Sequence, residues 1–208
     1  MPSADILSAF FATALLMALV PGPDNLFVLT QSAVYGARAG FATTFGLITG
    51  LCAHTAAVTL GVAALFRASE AAFLGLKIVG ALYLLHLARL SFRSGASSAS
   101  LERSRFPGFL ALYRRGVIMN ITNPKVSLFF LAFLPQFADP GRGNLSAQII
   151  LFGALFQCAT LLVFGGVALL GGKLAIWFNK SVREQILLNR AAGCVFVALA
   201  VALAFTGR

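Results

Sequence analysis

"VPGPDNLF", residues 20–27, sets two prolines, a glycine, an aspartate and an asparagine inside an otherwise apolar stretch. A proline removes an amide donor and clashes with the turn before it, so no straight helix runs through this segment. The only charged residue upstream is Asp5. The stretch thus couples a helix break to a carboxylate, and its meaning depends on the solvent that surrounds it.

Composition identifies that solvent. The chain has 208 residues, of which 59% are hydrophobic and 11% charged, with a mean hydropathy of +0.90. A water-soluble domain of this length cannot hide so much apolar surface. Long apolar runs fit an all-α integral membrane protein, in which lipid replaces water. A net charge of +10 suits nucleic acid in principle. Here, however, the cations sit between apolar runs and no basic stripe or aromatic-interleaved motif accompanies them, so no nucleic-acid partner is expected. The N-terminus lacks Lys and Arg and no A-x-A-like site follows a short apolar core, so the first run is expected to stay in the mature protein. Cys52, Cys158 and Cys194 are scattered through apolar segments and form no CxxC, metal spacing or disulfide framework.

Six apolar stretches, at about 5–35, 40–66, 70–92, 112–135, 146–172 and 186–206, are long enough to cross the bilayer. The criterion is about 30 Å of hydrocarbon at about 1.5 Å per helical residue. The first exceeds a straight crossing and must tilt, break or extend. The segment RSGASSASLERSRFP, 93–107, is the one long hydrophilic linker. The chain is therefore one transmembrane domain over 1–208.

The cations orient the bundle. Arg38, Arg89, Arg93, Arg103, Arg105, Arg114, Arg115, Lys173, Lys180, Arg183 and Arg190 fall in or beside loops 1–2, 3–4 and 5–6. Arg67, Arg142 and Arg208 fall on the other side. Positive residues accumulate in the cytoplasm, so both termini are expected to be periplasmic.

The two halves resemble each other in order. Gly22-Pro23-Asp24 matches Asn123-Pro124-Lys125, Cys52-Ala53-His54 matches Cys158-Ala159-Thr160, and "KIVGALYL" from Lys77 matches "RAAGCVFV" from Arg190. An odd number of crossings reverses orientation, so three-span halves (about 1–92 and 112–208, joined by a linker at 93–111) would be inverted repeats. The first and fourth spans are broken near their middles, at Pro23 and Pro124. Interrupted helices in corresponding positions point to a site near the bilayer midplane.

Asp24 is the one acidic residue well inside an apolar span, and exposing it to lipid costs about 2.5–3.5 kcal/mol on insertion scales. It should face the bundle interior. Pro23 suits the first position of a half-helix, placing Asp24 in a first turn where the dipole favours its charge while desolvation opposes it. That balance suits a group that binds a proton or an amine. Lys125 has the opposite problem, because its own half-helix dipole disfavours a cation. It therefore needs an anion, either Asp24 in a resting ion pair or a substrate carboxylate. Both groups, with the exposed half-helix amides, form a candidate site for a zwitterion. Asn25, Asn120, Thr122 and Asn123 surround the breaks, where they either contact substrate or bond backbone groups that proline frees. Thr30, Gln31 and Gln157 either line a pathway or bond between helices. His54, a further pathway candidate, and His86 read first as interhelical histidines and second as a proton relay. Gly46, Gly50, Gly80 and Gly193 are expected to permit close helix approach. Lys77 and Arg190 are expected to snorkel to the interface.

At "PGPDNLFVLTQSAVYGARAGF" and "NITNPKVSLFFLAFLPQF" the chain resembles the LysE/RhtB family of bacterial amino-acid exporters. The spacing of these blocks, the "KIVGALYLLHL" block and the six-span length agree, so the resemblance covers essentially the whole chain. The first block looks closer to the homoserine and threonine efflux branch. Family members often read "YLG" in the third span, where this chain has Leu85-His86-Leu87-Ala88, so helix packing and substrate choice there need not follow the family. The resemblance implies a bundle of about six helices, amino-acid export across the bacterial inner membrane and proton entry as the driving force. It puts the motif positions at Pro21, Gly22, Pro23, Asp24, Asn123, Pro124 and Lys125.

The reading is a secondary exporter of amino acids or similar small zwitterions, not an enzyme, with protons as coupling ion and no cofactor or metal. A metal-ion exporter is the alternative, though such sites want clustered carboxylates, histidines or thiolates. A transmembrane thiol oxidoreductase built on Cys52 and Cys158 is the third reading, against which small buried cysteines commonly pack as apolar residues.

Overall fold

The computed structural model describes residues 1–68, 70–95, 106–180 and 182–205, with side-chain surroundings for these outside 62–73 and 177–180. Most of the polar linker, with Arg103 and Arg105, and the terminal Arg208 lie outside the described residues, as do the side chains of Arg67 and Lys180. All regular structure among the described residues is helical.

The opening motif divides the first span as its prolines require. Helix α1, Ala4–Leu19, ends before Pro21, and α2, Pro23–Tyr35, begins with its proline at the first turn, at a bend of 62°. Gly36 closes α2 with φ +85°, in the left-handed region where a side chain is strained. Helix α3, Ala37–Ala68, and α4, Glu70–Arg93, follow without a proline. Helix α5, Phe109–Ile121, stops at Thr122, and α6, Pro124–Leu128, restarts behind Pro124. It winds on through a π turn at Phe129–Phe133 and a 3-10 turn at Leu134–Phe137, bent by 48° from α5. Helices α7, Leu145–Lys180, and α8, Val182–Phe205, complete the chain. Four helices are long and apolar enough to cross a membrane, and six spans result if each bent pair is one crossing. The protein is an all-helical, multi-pass integral membrane protein.

Contacts between chain ends and loops tie the first bent pair to the second, and α4 to α8. Tyr35, at the end of α2, lies against Phe106, just before α5 (ring centroids 5.3 Å apart). Asn189 on α8 donates to the Ser94 and Gly95 carbonyls after α4. At the other end, the N-terminal ammonium donates to the Arg142 carbonyl between α6 and α7.

Helix α3 is central, packed against α5, α7 and α2, while α4 packs mainly on α8 and α7 also holds α1 and α2. Lipid supplies no hydrophobic drive between helices, so backbones must approach closely at small residues. A Cβ on Gly46 would lie 2.1 Å from the Tyr113 carbonyl oxygen, and one on Gly116 2.5 Å from that of Thr43. On Gly50 it would meet Asn120, on Gly80 Ala132, and on Gly193 Phe92, all at 2.4–2.7 Å. The four glycines expected to pack helices therefore do so, as do Gly40, Gly116, Gly153 and Gly171. Below the first break, Phe10, Phe129, Phe130 and Phe152 are fully buried, with Phe10 and Phe152 rings 4.8 Å apart. This dense aromatic block holds α1, the π turn and α7 together.

Candidate functional site

In a continuous helix each carbonyl accepts from the amide four residues on, so a proline orphans the carbonyl four residues before it. Pro21 does this to Met17, and Pro124 removes the α-helical donor of Asn120, whose carbonyl accepts from the Asn123 amide at 3.0 Å instead. In both cases a basic side chain from another element meets the carbonyl, as replacement donor at Met17 and as second donor at Asn120. Lys125 Nζ donates to the Met17 carbonyl at 3.2 Å and to that of Val20 at 3.0 Å. His54 Nε2 on α3 lies 3.1 Å from the Asn120 carbonyl. A carbonyl only accepts, so this contact puts the ring proton on Nε2.

Lys125 thereby escapes the dipole of its own half-helix without forming an ion pair. Its ammonium sits on the C-terminal carbonyls of α1, where the helix dipole favours a cation. The expected resting ion pair with Asp24 does not form: backbone oxygens hold the ammonium, and no nitrogen of Lys125 comes within 4.0 Å of the Asp24 carboxylate. Asp24 is 4% exposed, as its placement in an apolar span requires. One oxygen, Oδ2, accepts from Asn120 Nδ2 at 3.4 Å, and Oδ1 has no partner. The Asn123 and Asn120 side-chain amides act on the carboxylate as hydrogen-bonding neighbours, and Lys125 and His54 act on it through charge.

The asparagines divide their atoms between backbone and site. Asn25 Nδ2 donates to the Ala18 carbonyl at 2.7 Å, tying α2 to the end of α1. Asn123 Oδ1 accepts from the Lys125 amide at 3.0 Å, capping α6. The opposite ends of these amides are buried without partners: Asn25 Oδ1, Asn120 Oδ1 and Asn123 Nδ2, alongside Asp24 Oδ1. Leaving a buried polar atom unpaired costs about 1–3 kcal/mol. All four lie at the two helix breaks.

Of the residues singled out from sequence, the structure gathers Pro21, Gly22, Asp24, Asn25, His54, Asn123, Pro124 and Lys125 around the breaks, with Pro23 exposed at the head of α2. Thr122 is exposed and donates to the Ile118 carbonyl of its own helix. Gln31 sits half-buried two turns beyond Asp24. Gln157 lines a separate cavity of about 460 Å³ between α3 and α7, with Cys52, Thr55 and Thr59. His86 is exposed beside Tyr83, and all three cysteines are free and exposed. Asn120 emerges as the hub, touching Asp24, His54 and Gly50. Its sequence signal is its place four residues before Pro124.

The model of the LysE type translocator family matches residues 15–207. A homoserine/homoserine lactone efflux protein of Salmonella typhi is 32% identical over 196 residues, covering 94% of each chain. An uncharacterised membrane protein of Pseudomonas aeruginosa is 30% identical, covering 89% of this chain and 88% of its own. A leucine efflux protein of Salmonella choleraesuis is 26% identical, covering 94% of this chain and 92% of its own. No solved structure matches. Prolines that split two spans, an acid and a lysine at the splits, and a family match over almost the whole length together show that this chain belongs to the LysE type translocator family.

Proposed function

We propose that the protein exports amino acids or closely related small zwitterions across the bacterial inner membrane, by secondary active transport in exchange for protons. The observation that carries this reading is the buried carboxylate of Asp24, half-satisfied and facing unpartnered amide atoms at two broken helices. A zwitterion supplies what these groups lack. Its ammonium fits Asp24 Oδ1 with the Asn25 and Asn120 oxygens, and its carboxylate fits Asn123 Nδ2 and the Lys125 ammonium. A proton arriving on Asp24 from outside removes the charge that holds the ammonium, releases the substrate there and is carried inward on return. The relatives named for homoserine and leucine efflux support the substrate class.

The sequence supports a periplasmic location for both termini, through the cations around loops 1–2, 3–4 and 5–6. The two bent pairs, each restarting at a proline, support inverted repeats as the architecture. The test is to express the chain in cells loaded with dipeptides and identify which amino acids appear outside. Accelerated release of one or a few amino acids, relative to cells lacking the chain, is expected. Release unchanged for every amino acid overturns the reading.

A further inference from the structure

The end of α1 has the form of a cation site with its cation already in place. Two carbonyl oxygens, of Met17 and Val20, converge on the Lys125 ammonium. Gly22 leaves the approach open: a Cβ there would stand 3.4 Å from Nζ. Asn25 Oδ1 stays unpartnered, so the two carbonyls alone hold the ammonium. Asp24 contributes negative charge close enough to act on Lys125. Unwound carbonyls at half-helix C-termini are the groups with which transporters hold exchangeable cations.

We propose that Met17 O and Val20 O form a seat for one monovalent cation and that Lys125 is its tethered occupant, making the protein independent of sodium. An ammonium and a sodium ion carry the same charge and both bind carbonyl oxygen. Removing the side chain therefore leaves a net-negative pocket lined by oxygens, open to sodium or a small alkylammonium. A lysine that merely caps α1 makes a different forecast: its loss weakens the protein equally in every salt.

The experiment is thermal unfolding of the purified, detergent-solubilised full chain in choline, sodium and methylammonium chlorides at equal ionic strength. Wild type and Lys125→Arg are expected to melt at the same temperature in all three. Lys125→Ala is expected to melt lower in choline and to regain several degrees in sodium or methylammonium. Equal melting of Lys125→Ala in all three salts overturns the proposal, as does a sodium-dependent rise in wild type. Should Lys125→Ala be isolable in none of the salts, the seat does not accept an external cation and the proposal fails. If the variant is isolable only when sodium or methylammonium is present throughout, the proposal stands. These readouts do not require transport. A second arm, which rests on the proposed export, measures wild-type efflux in vesicles with choline replacing all sodium: undiminished efflux is expected, and abolished efflux overturns sodium independence. Absence of efflux in both salts instead refutes the export reading, leaving the melting result to decide the seat.

Discussion

Replacing Gly50 by alanine puts a methyl group 2.6 Å from Asn120 Cβ and 2.7 Å from its Oδ1. Asn120 must then move away from α3, carrying with it the amide that donates to Asp24 and the carbonyl that His54 meets. Overpacking of this kind costs about 1–3 kcal/mol, and the better helix propensity of alanine offsets about 0.8–1.0 kcal/mol of it. With Asn120's bonds also weakened, a net loss of about 1–2 kcal/mol is expected. Gly61 is the internal control. It lies on the same helix, but a Cβ there meets nothing within 4 Å, so Gly61→Ala should gain about 0.5–1 kcal/mol. The two variants should therefore differ by about 1.5–3 kcal/mol, or about 3–12 °C in melting temperature for a chain of this size. Thermal unfolding of both in one detergent gives the difference, and amino-acid efflux should fall in Gly50→Ala only. A Gly50→Ala protein that melts at or above Gly61→Ala and transports normally refutes the placement of Asn120 against α3.

Three further outcomes follow from individual atoms. Asn123→Ala removes the cap on the Lys125 amide and should cost about 1 kcal/mol in thermal unfolding, whereas Asn123→Ser, which still accepts, should keep most of that stability. His54→Leu removes the second donor to the Asn120 carbonyl, which keeps the Asn123 amide, and should cost about 0.5–1.5 kcal/mol. His54→Gln, which can donate through its amide, should recover part of the loss; equal losses in the two variants would argue against the hydrogen bond. Pro21→Ala restores an amide for the Met17 carbonyl in competition with Lys125, so efflux should drop while the melting temperature holds or rises.

The broken spans were legible because proline is a covalent fact: Pro23 and Pro124 each head a half-helix where the sequence puts them. Burial of Asp24 was legible for the same kind of reason, since lipid tolerates no unpartnered carboxylate. The seat of Lys125 was not. Its unfavourable dipole was evident from position, but the oxygens that answer it belong to α1, more than a hundred residues away, and only packing brings them together. Helix partners were likewise obscure, because a helix apolar on every side shows no buried face in its periodicity. Gly46 and Gly50 advertised a close approach without saying that Gly116 and Asn120 lay opposite. The fates of Thr122, turned onto its own helix, and Gln157, turned into the groove between α3 and α7, depend on rotation about helix axes that sequence leaves free.

The central claim is that Asp24 alternates between substrate ammonium and proton. Reconstituted vesicles with an imposed pH gradient test it most directly, using the amino acid found outside dipeptide-loaded cells and comparing wild type with Asp24→Asn. Wild type should move the amino acid against its concentration in exchange for protons, and Asp24→Asn should show no gradient-driven movement while remaining folded. Equal gradient-driven transport by the two proteins would contradict the account.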